Sequence, residues 1–353
     1  MRRGLLVAAA AGLAGSCFAG AAGSPSSRAL AASEGPAVVL SGLIVFDNDA
    51  RDIWRVDADG SHLRQLTHSN ALEFDPEWSP DGRRIVYRSE TEGNSEIFVM
   101  NADGTGAVNL TRNPAEDYSP SWSPDGERIA FASSRSGVFN DIYVMSIDGS
   151  NVHRVTRSVS VDEYPSWSPD GRRIVFTSSR TGHWDLFVIN ADGTGTRRIT
   201  RRGGKSPSWS PRTGLIAYQG PDGSSGSDRH MSSLWVVRAN GRKAHRVIRN
   251  ANTPTWAPNG SLLLIARAGT GLTAVDLTGK VRAVITPPPA LNADWSAILR
   301  NPGISPTGGR RHAWSATSTH SPRRCGSTAA TASSPATGRR ARTSSSARTS
   351  AST

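Results

Sequence analysis

The string Pro-Ser-Trp-Ser-Pro-Asp-Gly occupies residues 120–126, returns unchanged at 165–171, and recurs in its first five residues at 207–211. Its tryptophan marks a register: Trp78, Trp122, Trp167, Trp209, Trp256 and Trp295, at spacings of 44, 45, 42, 47 and 39 residues. A repeat of this length holds one supersecondary unit that buries its apolar faces against its neighbours, so the period decides the architecture.

Within a unit the signals are strands and turns. After Trp122 the chain reads Ser-Pro-Asp-Gly, then Arg128 to Ser133, Asp141 to Met145, a turn at Asp148-Gly149, and Val152 to Thr156. Each run alternates or is rich in β-branched and aromatic residues, and each is bounded by Gly, Pro, Asp or Ser. In the first turn proline presets φ, Asp bonds its own backbone and Gly accepts positive φ. The second turn, also present at Asp59-Gly60, Asp103-Gly104 and Asp192-Gly193, has Asp-Gly hairpin chemistry. Four antiparallel strands per unit, repeated around an axis, predict an all-β propeller.

The ends set the blade count. Residues 43–67 contain three strands and lack the tryptophan-bearing one, whereas Asn292 to Trp295 supplies such a strand alone. Joining them closes a six-bladed ring and removes the exposed sheet edges.

These recurring motifs, Pro-x-Trp-Ser-Pro-Asp-Gly, Ile-Ala-Phe-x-Ser, Asp-Ile-Tyr-x-Met and Arg-x-Thr, resemble those of the TolB-like propeller repeat family, a WD40-like or PD-repeat propeller. The resemblance covers about residues 43–295 and weakens after Trp209, where the turns become Ser210-Pro211-Arg212-Thr213-Gly214 and Ala257-Pro258-Asn259-Gly260. It implies a six-bladed binding scaffold that, in the periplasmic family member, partners a peptidoglycan-associated lipoprotein. The α/β domain that precedes the propeller there is not expected, because little chain separates the leader from the first strand.

The formal charge of +12 invites a nucleic-acid reading, but the excess lies at the two ends. Residues 34–295 hold all 29 acids and the same number of Lys and Arg, so the middle is formally neutral and no nucleic-acid footprint is expected. Arg2 and Arg3 before the apolar run Leu5 to Leu13 read as an export signal over residues 1–32, followed by a linker over 33–42. Lipidation at Cys17 is the alternative to free secretion, with a periplasmic or extracellular destination either way. No transmembrane span is expected. The tail, 296–353, carries nine arginines and no acid in a Ser/Thr/Ala-rich background. That composition predicts either a disordered cationic appendage able to touch anionic surfaces or an out-of-frame translation.

Strand alternation puts both tight turns on one face of the disc and the longer connections on the other, where function is expected. Five residues before each tryptophan stand Glu73, Asp117 and Asp162 in successive units, an arc of carboxylates at the channel mouth, with Phe74 and Tyr118 beside the first two. Arg135 and Arg180 align in the following loops as candidates for bidentate recognition of anionic or peptide groups, with pairing to Asp141 and Asp185 the expected use. His183 and Trp184 make the most distinctive loop, a candidate anchor. No cofactor is expected; calcium is the one ion the arc could hold if six or more oxygens converged. The scattered histidines and the absence of G-x-S-x-G argue against zinc and serine chemistry. The resulting expectation is an exported, monomeric, non-enzymatic binding module for a protein or cell-envelope polymer. A cation-dependent lactonase-like propeller enzyme is the alternative.

Overall fold

The computed structural model describes residues 40–296 apart from 49, 92, 223–232, 268–270 and 286–289. The leader with Cys17, most of the linker and the tail beyond Ser296 lie outside the described residues.

Six four-stranded antiparallel sheets succeed one another along the chain. Five are sequential: β4–β7 (Leu72–Trp78, Arg84–Thr91, Asn94–Asn101, Val108–Asn109), β8–β11 (Asp117–Trp122, Arg128–Ser133, Asp141–Ser146, His153–Arg154) and β12–β15 (Asp162–Trp167, Arg173–Ser178, Asp185–Asn190, Arg197–Arg198), then β16–β19 (Lys205–Trp209, Leu215–Gly220, Ser233–Arg238, His245–Arg249) and β20–β23 (Asn252–Trp256, Leu262–Arg267, Gly271–Asp276, Val281–Val284). The sixth joins the C-terminal β24 (Ala290–Ser296) to β1 (Leu43–Asn48), β2 (Ile53–Asp57) and β3 (Arg64–Gln65), so the ring closes between Trp295 and Ile44 as the half-units require.

One tryptophan sits at each junction between blades. The six are 3–6% exposed. Trp167, for example, packs with Ala130, Ile142 and Val144 of the preceding blade and with Ile174, Phe176 and Ile189 of its own. Burying an indole of roughly 150–250 Å² at every junction makes the repeated string scaffold.

The turns explain the rest of the string. Ser79, Ser123 and Ser168 are buried; the Ser79 hydroxyl donates to Asp81 at 2.6 Å and accepts the Arg84 N–H at 3.0 Å. In the second turn Gly149 has φ of 81°, and a Cβ there would stand 2.5 Å from the Leu110 carbonyl of the neighbouring blade. Glycine is therefore demanded twice over, by backbone conformation and by close approach.

The proline of the string marks a bulge. Pairing slips between Tyr118 and Ser121, and at the equivalent places Phe74/Glu77, Glu163/Ser166, Lys205/Ser208 and Asn252/Thr255. Asp75, Ser119, Tyr164, Ser206 and Thr253, each just before a proline, all take φ between 40° and 52°. A bulge increases local twist and re-aims side chains, here along the strand that lines the axis.

Candidate functional site

The six tryptophan-bearing strands surround an axial cavity of about 480 Å³. Because side chains alternate along a strand, two rings face it. The first contains Asp75, Ser119, Tyr164, Ser206, Thr253 and Asn292; the second contains Glu77, Ser121, Ser166, Ser208, Thr255 and Asp294. Beyond them, the prolines of the tight turns ring the cavity where it reaches the turn face.

The second ring stitches blades together. The inner edge of each innermost strand has no strand to pair with, so its N–H groups need side-chain acceptors. The Trp78 N–H donates to Asp294 Oδ2 at 2.9 Å, the Trp122 N–H to Glu77 Oε1 at 2.8 Å and the Trp209 N–H to Ser166 Oγ at 3.0 Å. Burial, reinforced by the charge of Asp294, pushes the Glu77 carboxyl well above the usual carboxylate range, and burial likewise raises Asp294. Asp75 in the first ring is raised by burial and opposed by Arg88 and Arg51. The cavity thus presents hydroxyls, indoles, prolines and three acids, and no Arg, Lys, His or Cys among the described residues. Reading the sequence by its charged loops missed Glu77 and Asp294. Their signal was a column, the residue before each tryptophan, that is polar in all six units.

None of the sequence-predicted site residues lines this cavity. Instead of an open arc, Glu73, Asp117 and Asp162 are 3%, 0% and 0% exposed. They sit opposite Ser89, Ser133 and Ser178 of the next strand, inside their blades. Glu73 accepts from Ser69 Oγ at 2.5 Å, and burial raises its carboxyl.

The arginine partners also differ from expectation. Arg135 Nη2 donates to Asp117 Oδ2 at 2.7 Å, and Arg180 Nη2 to both Asp162 oxygens at 2.8 and 3.0 Å. The register is the cause: Arg135 Nε donates to Ser133 Oγ at 2.9 Å, which aims the guanidinium at β8, and Ser178 does the same for Arg180 at 2.8 Å. Asp141 and Asp185 instead pair with Arg154 and Arg198 from the outer strands, both at 2.6 Å. These aspartates also accept Thr156 and Thr200 hydroxyls at 3.0 Å, and those threonines accept the Ile142 and Leu186 N–H groups. Glu73, Asp117 and Asp162 thus lie in three successive blades, each accepting a hydrogen bond from a nearby side chain.

The remaining candidates gather on the long-loop face. Phe74 is buried between Arg51 and Arg88, whose guanidinium carbons lie 4.7 and 3.8 Å from its ring centre. Tyr118 is half-buried, and burial, reinforced by the nearby charges of Glu163 and Glu116, raises its phenol. Trp184 lies under Lys205, the ammonium 4.6 Å from the ring centre, and His183 Nε2 is 3.0 Å from Asp185 Oδ2. Tyr164, 37% exposed, connects this face to the axial cavity.

Comparison with known proteins supports this architecture. A family profile for the TolB beta propeller domain matches residues 110–299, more than half of the chain, and one for the Tricorn protease N-terminal beta propeller domain matches 36–140. No curated protein sequence matches. Among solved structures, TolB from Acinetobacter baumannii is 21% identical with a TM-score of 0.60, the alignment covering 72% of this chain and 66% of that one. A putative TolB from Agrobacterium tumefaciens is 26% identical with a TM-score of 0.55, covering 64% and 86%. A chain of a nidogen/laminin complex, 12% identical with a TM-score of 0.60, shares the fold alone, covering 72% and 98%. This chain therefore spans just under two thirds of the Acinetobacter protein. Its repeat profile and its closed six-bladed ring lead to one assignment: the chain belongs to the TolB β-propeller domain family.

Proposed function

We propose that the protein is an exported, non-enzymatic binding module that holds a protein or cell-envelope polymer against its long-loop face, at the channel mouth. What carries the reading is the contrast between the two faces. On the turn face, the serine and aspartate side chains of the tight turns bond within those turns. On the long-loop face, Tyr164 remains exposed beside half-buried Tyr118 and the Trp184–Lys205 pair, which is the aromatic and cationic composition that interface anchors favour. Export is the matching location, supported by the Arg2-Arg3 leader and by the TolB proteins to which the chain is similar. Among the described residues no helix is long and apolar enough to cross a membrane.

The test is capture from envelope extracts with the full chain and with Tyr164→Ala/Trp184→Ala. Saturable retention of one partner by the parent, lost in the variant while its melting temperature is unchanged, is the expected result. Equal retention by both proteins, or no saturable partner, overturns the assignment of the site.

A further inference from the structure

The long-loop face is chemically uneven. In the sector built by β8–β15, three apolar side chains stand at loop tips: Val138 is 91% exposed, Phe139 43% and Val159 86%. Val138 and Phe139 lie between β9 and β10, and Val159 lies between β11 and β12. These loops are joined, because the Asp162 N–H donates to the Asn140 carbonyl at 2.9 Å and Asn140 Nδ2 donates to Glu163 Oε1 at 2.9 Å. The loop between β13 and β14 is tied on as well, the Ser179 N–H donating to the Val161 carbonyl at 3.0 Å. The three tips therefore belong to one connected edge.

Cations accompany them. Arg157, two residues before Val159, is exposed, as are Arg201 and Arg202 at the equivalent corner of the next blade, and none of the three makes an ion pair among the described residues. The aspartates on this side of the sector, Asp117, Asp141, Asp162 and Asp185, are all at most 1% exposed. Glu163 is half-buried against Asn140, and exposed Glu116, at the sector's border, accepts the Ser95 N–H at 3.0 Å. Apart from Glu116, whose backbone is bonded to Ser134 at the base of the Val138–Phe139 loop, the charged and apolar side chains this edge offers to solvent are thus arginines and the three apolar tips.

That combination selects a partner class. A soluble polyanion would meet the arginines and gain nothing from Val138, Phe139 or Val159. A folded protein would have to supply every wall of a pocket for side chains that stand almost free. A bilayer interface accepts apolar tips without shape complementarity, while anionic headgroups meet the arginines. We propose that this edge of the propeller rests on an anionic phospholipid surface, with Val138, Phe139 and Val159 entering the headgroup region and Arg157, Arg201 and Arg202 against the headgroups. The inference goes beyond the partner site at the channel mouth and uses none of its residues, so either can fail alone.

The experiment uses the full chain with Cys17→Ser and Cys325→Ser, carrying a single environment-sensitive dye at Phe139→Cys or Val159→Cys, with Val152→Cys on the turn face as the control. The probes are phosphatidylcholine vesicles with and without phosphatidylglycerol. The expected result is a blue shift at 139 and 159, confined to vesicles containing phosphatidylglycerol, and none at 152. In the unlabelled chain, Arg157→Ser/Arg201→Ser/Arg202→Ser lowers vesicle affinity about a hundredfold at low salt. Added salt weakens the parent in the same direction. Sedimentation with vesicles without a shift at 139 or 159 overturns the proposal, because attachment then runs through another surface such as the arginine-rich tail. No sedimentation overturns it, and a shift with polyglutamate but not with vesicles replaces the bilayer by an acidic protein.

Discussion

Asp47 sits where the ring closes, accepting the backbone N–H of Asn292 at 2.6 Å and its Nδ2 at 3.0 Å. Burial, with the nearby charge of Asp75, raises its carboxyl to about 7. The folded chain then holds a proton that the unfolded chain releases between about pH 4 and pH 7. This group's contribution to stability is accordingly present at low pH and lost as pH rises, by up to about 1.4 kcal/mol per pH unit across that window. Asp47→Asn should raise stability near pH 8 and change it little below about pH 4, which denaturant unfolding at the two pH values would show; an equal effect at both would contradict it. Arg180→Ala tests the opposite situation. Asp162 is fully buried and the arginine is its counter-ion, so removal should cost about 3 kcal/mol, and adding Asp162→Asn should recover much of it. A loss within experimental error would mean that Arg180 is free to serve a ligand instead. The sequence made both arginines visible but not their partners, because Ser133 and Ser178 stand between two aspartates each, and only strand register and the outer-strand arginines decide which one is taken.

At the scale of one strand, the innermost element of each blade combines a buried tryptophan, a bulge at proline and two axis-facing polar residues. The tryptophan was legible because an indole repeated every forty-odd residues has one economical use, filling the junction between repeats. Trp167→Ala should cost about 3–5 kcal/mol, since it empties a site walled by two blades that cannot close together without moving the ring. Trp184→Ala, at a half-buried loop position, should cost far less, and thermal unfolding of the pair compares junction with loop directly. The bulge was not legible. Proline signals a departure from ladder bonding without saying which neighbour takes positive φ. Ser119 takes it here, at 51°, so Ser119→Val should destabilise by about 1–2 kcal/mol through its β-branch. A neutral outcome would show the local backbone to be less constrained than its repetition in five blades implies.

At the scale of the whole molecule, closure couples residues almost the full propeller apart. Trp295 packs with Ile44 and Phe46, its indole N–H donates to the Ser41 carbonyl at 2.9 Å, and Asp294 binds the Trp78 backbone. A chain ending before Ala290 should lose cooperative thermal unfolding and associate in solution, since β1 and the flanking inner strands would expose unpaired edges; a monomer with an unchanged melting transition would show that closure is dispensable. The sequence by itself determined the repeat, the four strands per unit, both turn chemistries and the split sixth blade, because these depend on local propensity and on a period that neighbouring residues report. Only the tertiary structure decided which polar groups remain available. Glu73, Asp117 and Asp162 look like an open acidic arc when aligned as letters, yet they are buried inside blades. Glu77 and Asp294, unremarkable as letters, face the axis. The physical reason is that exposure and partner choice depend on strands brought together from distant parts of the chain, down to a one-residue bulge that turns a side chain from blade to channel.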